Sequence, residues 1–255
     1  SLVAGSSRDG WLNRLLLTVP GIEAETAYAI GREEMKILSG QALVSRWSPD
    51  ARLGLSPAAR NLIDIVTHDD PLFRDATQAA LGIVDELEGE GEMTGGAAGH
   101  LQLAEFAAGR LRRETRIASF SLSGWDTHGV QANTLARPLA ALAETILALK
   151  EGLGPVWDRT AVLCITEFGR TARENGTRGT DHGTGGAMIY AGGALNGGRV
   201  LGDWPGLADL YADRDLMPTR DLRAHAGWVM RGLFGLPPGV IEGAVFPGVD
   251  LGGDP

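Results

Sequence analysis

Apolar positions follow two regimes along this chain. Up to about residue 115 they recur mainly at helical spacing. Beyond it, short apolar runs alternate with helical stripes. The clearest stripe is Leu135, Leu139, Leu142, Ile146, Leu149 and Leu153, which step by four and three and predict a helix over Thr134–Leu153. Ile117–Leu122 and Ala187–Ala191 read as strands. So does Ala161–Thr166, whose apolar run suits a strand covered on both faces. Asp221 caps a last helix that runs to about Phe234 and stops at Gly235 and Pro237-Pro238. Strand–helix–strand alternation predicts an α/β fold: a mostly parallel central sheet with helices on both faces.

The first half is less regular. Trp11–Leu17 predicts a short helix that stops before Pro20-Gly21, and residues 26–40 carry no assignable period. Ser56-Pro57 and Asp70-Pro71 are helix starts, opening helices over Ala58–Thr67 and on to about Leu87. Residues 88–99 read as a surface loop, and His100–Thr115 as a helix with Leu101, Leu103, Ala104, Ala107, Ala108 and Leu111 available for burial. The reading is of one domain over residues 1–255.

Composition narrows the function. The 255 residues are 44% hydrophobic and carry a net charge of −9, which disfavours nucleic acid and anionic membranes as partners. No apolar stretch is long enough to span a membrane. One cysteine, Cys164 in an apolar run, rules out an intramolecular disulfide. Six scattered tryptophans make no base-stacking platform, and Ala191–Gly202 lacks the Gly-Lys-Ser/Thr ending of a phosphate loop.

The chemistry concentrates in SGWDTHG (Ser123–Gly129), TEFGRT (Thr166–Thr171) and GTDHGTGG (Gly179–Gly186). Asp126 and His128 are two apart, so in extended chain they share a face and can hold one metal ion. Glu167 follows a strand, the usual active-site side of α/β folds. Arg170 can pair with Glu167 or bind an oxyanion through its planar fork. Adjacent Asp181 and His182 point opposite ways in extended chain. His182 is therefore the favoured ligand, with Asp181 as orienter or second ligand. The glycines around them allow close approach of backbone to a substrate, or simply serve turns. His68, His100 and His225 sit in helical patterns and read as helix-end or surface residues.

GWDTHGVQ, ITEFGRT and GTDHGTGGAMIYAGG, together with GWLNR at Gly10–Arg14, resemble the DUF1501 family of the alkaline phosphatase-like (sulfatase-like) superfamily. The resemblance implies that fold, a divalent metal site with zinc foremost and manganese, magnesium or calcium as alternatives, and hydrolysis of a small anionic phosphate or sulfate ester. By position it implies Asp126, His128, His182 and Glu167 as metal-site residues; Asp181 joins them from its place beside His182, and Arg170 is the expected catalytic helper. An exported binding or assembly protein on a hydrolase scaffold is the alternative. The family's twin-arginine signals imply a periplasmic or exported parent. Phe168 stands where better-known members have a ligand histidine. No Gly-Gly-Asp segment precedes GWLNR, so the chain is expected to be the later part of the domain. Ser6, Ser7 and Thr166 are the available hydroxyls, with nothing to rank them.

Overall fold

The structure is a computed structural model that describes residues 9–49 and 99–253, with isolated helical positions between them. The helices expected over Ala58–Thr67 and from Asp70 to Leu87 fall outside the described residues apart from those positions. The loop over 88–98 also falls outside them, and Gly99 is already helical.

The described chain is mixed α/β: a small parallel sheet with helices on both sides. Its centre is β1 (Ala27–Ile30), flanked in parallel by β2 (Ser45–Trp47) and β3 (Ile117–Ser119). All four residues of β1 are buried, and its side chains alternate between two cores. Ala27 and Ala29 face a core built from α1 (Trp11–Leu16), residues 241–251 and, in chain order later, the helix Leu222–Phe234. Tyr28 and Ile30 face the other core, made by α2 (Gly99–Leu111) and α3 (Ala136–Leu153). The period of two in AYAI thus puts two small residues under one layer and two large ones under the other.

The helices follow their sequence signals closely at capped ends. α4 (Leu222–Phe234) starts at Asp221, whose carboxylate accepts the Arg223 N–H, and ends at Gly235 in the left-handed region (φ 64°). α2 stops at Leu111 rather than Thr115. Its buried face includes Phe106 and Arg110 besides Ala104, Ala107 and Ala108. Phe106 stacks on Trp47 with centroids 4.0 Å apart, and Arg110 lies over the Phe106 and Tyr28 rings. α3 leans on α2 across Gly152, where any Cβ would press on that of Ala108.

GWLNR is structural. Trp11 packs on Phe246, and buried Asn13 donates to the Leu38 and Ala42 carbonyls while accepting the Ala42 N–H. Arg14 donates through Nε to the Val245 carbonyl at 2.9 Å, tying α1 to the carboxyl-terminal segment. Residues 26–40, unreadable in sequence, hold the central strand.

The mostly parallel sheet is corrected in its second half. β4 (Val162–Cys164) pairs antiparallel with β7 (Ile189–Ala191), in the register Cys164↔Ile189, and neither joins the parallel sheet. An antiparallel pair tolerates an open face: β4 is half-buried throughout and Ile189 is 49% exposed, so this is not the doubly covered strand that its apolar run suggested. The consequence is decisive for the site. Residues 165–188 become one excursion, pinched at its base by β4 and β7. It is zipped again by β5 (Gly169–Arg170) against β6 (His182–Gly183).

Candidate metal site

The loop after β3 carries the first half of the site. Short-range bonds from Thr127 N–H to the Trp125 carbonyl and from His128 N–H to the Asp126 carbonyl fold it tightly. Thr127 is buried, its hydroxyl donating to Gln131 Oε1. Asp126 and His128, on either side of it, are exposed and meet each other, Oδ1 to Nε2 at 2.9 Å.

The excursion carries the second half across to meet them. Arg170 pairs with His182 in the β5–β6 register, and Thr171 N–H donates to the Asp181 carbonyl. Three glycines make the crossing possible. A Cβ on Gly179 would collide with the His128 carbonyl, one on Gly183 with the Arg170 backbone, and one on Gly185 with the Leu216 carbonyl. They serve close approach between backbones within the protein.

Asp126, His128 and His182 converge, each offering one ligand atom, all within 4.8 Å of one another. The contacts are tighter than that limit. His128 Nε2 and His182 Nε2 each lie 2.9 Å from Asp126 Oδ1, and 3.1 Å from each other. With Asp126 ionised, no placement of protons makes all three edges hydrogen bonds. Protonating both nitrogens leaves no acceptor on the edge between the two imidazoles. Protonating one leaves the other nitrogen's lone pair against the carboxylate oxygen. A cation between the three atoms would relieve every edge, and ligand atoms on a zinc-like ion, at about 2.0–2.1 Å from it, come similarly close to one another. The three form a possible metal-binding triad.

Around them the support is dense. Asp181, next to His182 in sequence, grips the opposite edge of the same ring, with Oδ1 2.9 Å from His128 Nδ1. Two neighbours that point opposite ways therefore bracket one imidazole. Hydrogen bonds from Asn175 and His128 hold the Asp181 carboxyl below its ordinary range. Those from His182 and Arg170 do the same for Asp126. Arg170 pairs with Asp126 at 2.6 Å, not with Glu167. It also donates to the Trp125 and Thr180 carbonyls, so its fork holds the loops together. Glu167 is exposed, and its carboxylate reaches neither the triad nor Arg170.

Sequence reasoning missed two residues and gave a third, Phe168, only as a replaced histidine. Asn175 donates to Asp181 Oδ1 and the His128 carbonyl. Gln131 Oε1 accepts from both Thr127 and Thr180, stapling the two loops. Phe168 stacks on the His182 ring at 4.0 Å. Of the two missed, only Asn175 left a signal of its own, the Asn-Gly pair of a turn. Thr166 donates its hydroxyl to the Phe168 carbonyl, and Ser6 and Ser7 lie outside the described residues.

A family profile described as "Protein of unknown function (DUF1501)" matches residues 56–228. The chain belongs to the DUF1501 family. The matched span contains all six residues singled out above, while GWLNR lies ahead of it. No curated protein and no solved structure matches the chain. Val130, inside the DUF1501 span, adopts φ 42°, rare for a β-branched residue, and Arg178 adopts φ 61°. The two loops meet at these residues: Val130 N–H donates to the Thr177 carbonyl and Gln131 N–H to that of Arg178. Among the described residues no helix is long and apolar enough to cross a membrane.

Proposed function

We propose that Asp126, His128 and His182 hold one divalent metal ion in a site that hydrolyses phosphate or sulfate esters. The observation that carries the metal is the triangle of ligand atoms at 2.9, 2.9 and 3.1 Å, whose three edges cannot all be hydrogen bonds while Asp126 is ionised. Two imidazoles and one carboxylate suit zinc, then manganese, better than magnesium or calcium, which favour all-oxygen shells. The ester substrate is supported by the resemblance of the three motifs to the alkaline phosphatase-like superfamily.

When bound, the metal supplies Lewis acidity toward an ester oxygen. The chain's own residues do the rest. Arg170 holds the Asp126 carboxylate in place, Asp181 holds the His128 ring, and Phe168 covers one face of His182. Glu167, exposed at the mouth of the excursion, is free to meet substrate or water.

A second reading is a non-catalytic, exported binding or assembly protein. It is favoured by Arg170, whose hydrogen bonds go to Asp126 and two carbonyls, leaving it a positioning task rather than an oxyanion. Export of the parent by a twin-arginine signal belongs to both readings, and fractionation of the full-length protein would test it.

The deciding experiment is elemental analysis of the chain beside Asp126→Asn and His182→Ala, followed by turnover of aryl phosphates and sulfates with the metal restored. Near one equivalent of metal, lost in both variants, is the expected result. Its absence from the wild-type chain would remove the metal. Stoichiometric metal without turnover would favour the binding protein.

A further inference from the structure

The Asn175 side chain is the hub of the turn that faces the triad. Its Oδ1 lies 3.0 Å from the backbone nitrogens of both Thr177 and Gly179. A backbone N–H can only donate, so the amide's orientation follows: oxygen toward the turn, NH2 toward the site. That NH2 has two protons. One goes to the His128 carbonyl at 3.0 Å and the other to Asp181 Oδ1 at 2.9 Å. An ionised Asp181 can only accept, so the nitrogen on its other side, His128 Nδ1 at 2.9 Å, must be the donor. With the ring's proton on Nδ1, the neutral imidazole turns a bare Nε2 lone pair toward Asp126 and His182.

We propose that Asn175 is a positioning residue for the His128 tautomer: its amide, oriented by two backbone N–H groups, holds the Asp181 oxygen where it accepts from Nδ1. The presentation of Nε2 is then built into the fold before any ligand arrives. Nothing in the chain order suggests it, since Asn175 is 47 residues from His128. This rests on the metal reading only for its consequence. The tautomer stands or falls by itself.

Asn175→Asp is the informative variant. It keeps an oxygen for the Thr177 and Gly179 N–H groups, and so the turn. Toward Asp181 it offers an acceptor where Asp181 needs a donor. Two measurements on the whole chain test it. Long-range proton–nitrogen correlation of the imidazole rings in mildly alkaline, metal-free buffer reads the His128 tautomer, with the signal assigned by its loss in His128→Gln. Zinc affinity is read by competition with a chromophoric chelator. The wild-type ring should carry its proton on Nδ1. Asn175→Asp should lose that preference and bind zinc about 10–100-fold more weakly, the usual effect of losing an outer partner of a ligand histidine.

A wild-type ring protonated on Nε2 overturns the proposal. So does an Asn175→Asp chain that binds zinc within about twofold of wild type. A wild-type chain with the proton on Nδ1 but no affinity for zinc sinks the metal reading and leaves the role of Asn175 standing. Should Asn175→Asp lose its cooperative melt, Asn175→Ser, whose hydroxyl can still accept within the turn but is too short to hold Asp181, takes its place in both measurements with the same expected and overturning results.

Discussion

Backbone strain at the site is stored in individual residues. Val130 holds a left-handed conformation that a β-branched side chain resists, and it does so where the two site loops are joined. Val130→Gly should therefore raise stability by about 1 kcal/mol in urea titration, the relief of backbone strain outweighing the small loss of packing. A loss of stability would mean that the side chain's contacts matter more. Gly179 is the converse. Its missing Cβ is what lets the excursion touch the His128 carbonyl. Gly179→Ala should cost about 1–3 kcal/mol and displace His128, visible as lost metal affinity. An alanine chain with wild-type affinity would show that the contact can give without moving the ring. Such roles are invisible in a sequence. GTDHGTGG announces glycines, but only the crossing of two loops says which of them a side chain would block.

The elements differ in how far local chemistry governs them. α4 is wholly local: Asp221 satisfies its first turn and Gly235 turns its end. Asp221→Ala should cost about 1 kcal/mol. The hydrogen bond from Arg223 lowers the Asp221 carboxyl in the folded chain. Its contribution is thus complete above the ordinary carboxylate range and is lost as pH falls through the lowered folded value. Thermal melts of wild type and Asp221→Ala should converge in acid and separate towards neutrality, and a constant gap would remove the charge from the argument. β1 is the opposite case. AYAI shows neither a long run nor a polar alternation, because both of its faces are buried and its code is small against large. β4 and β7 were legible as strands, but not as partners. Their antiparallel pairing is a fact about residues 25 to 29 positions apart, Cys164 facing Ile189 only after the excursion between them closes. Cys164 itself lies in that pair, and burial pushes its thiol up. It should react slowly with an aromatic disulfide reagent in the native chain and at the ordinary rate in denaturant. Fast native labelling would contradict the burial.

At the scale of the whole molecule, the triad is held between a loop after the parallel sheet and an excursion from an antiparallel pair. A ligand that binds there ties the two together. Zinc at about 100 times its dissociation constant should stabilise the folded chain by about 2.7 kcal/mol, a rise in the melting midpoint that Asp126→Asn abolishes. An equal rise in both chains would place the zinc elsewhere.

The residue types of the site and the capped helices were determined by sequence alone, because donors, carboxylates, caps and apolar periods act over a few residues. Asp126, His128, Asp181 and His182 could be named from spacing and type. Membership of the triad was decided only by tertiary structure. Glu167 stands apart, Asp181 grips the outer nitrogen, and Arg170 turns to Asp126 because β4 meets β7 and folds residues 165–188 back onto the Trp125–His128 turn. Those distances join positions up to 56 apart in the chain, and no local preference encodes them. They follow from which strands share hydrogen bonds and which glycines let backbones touch.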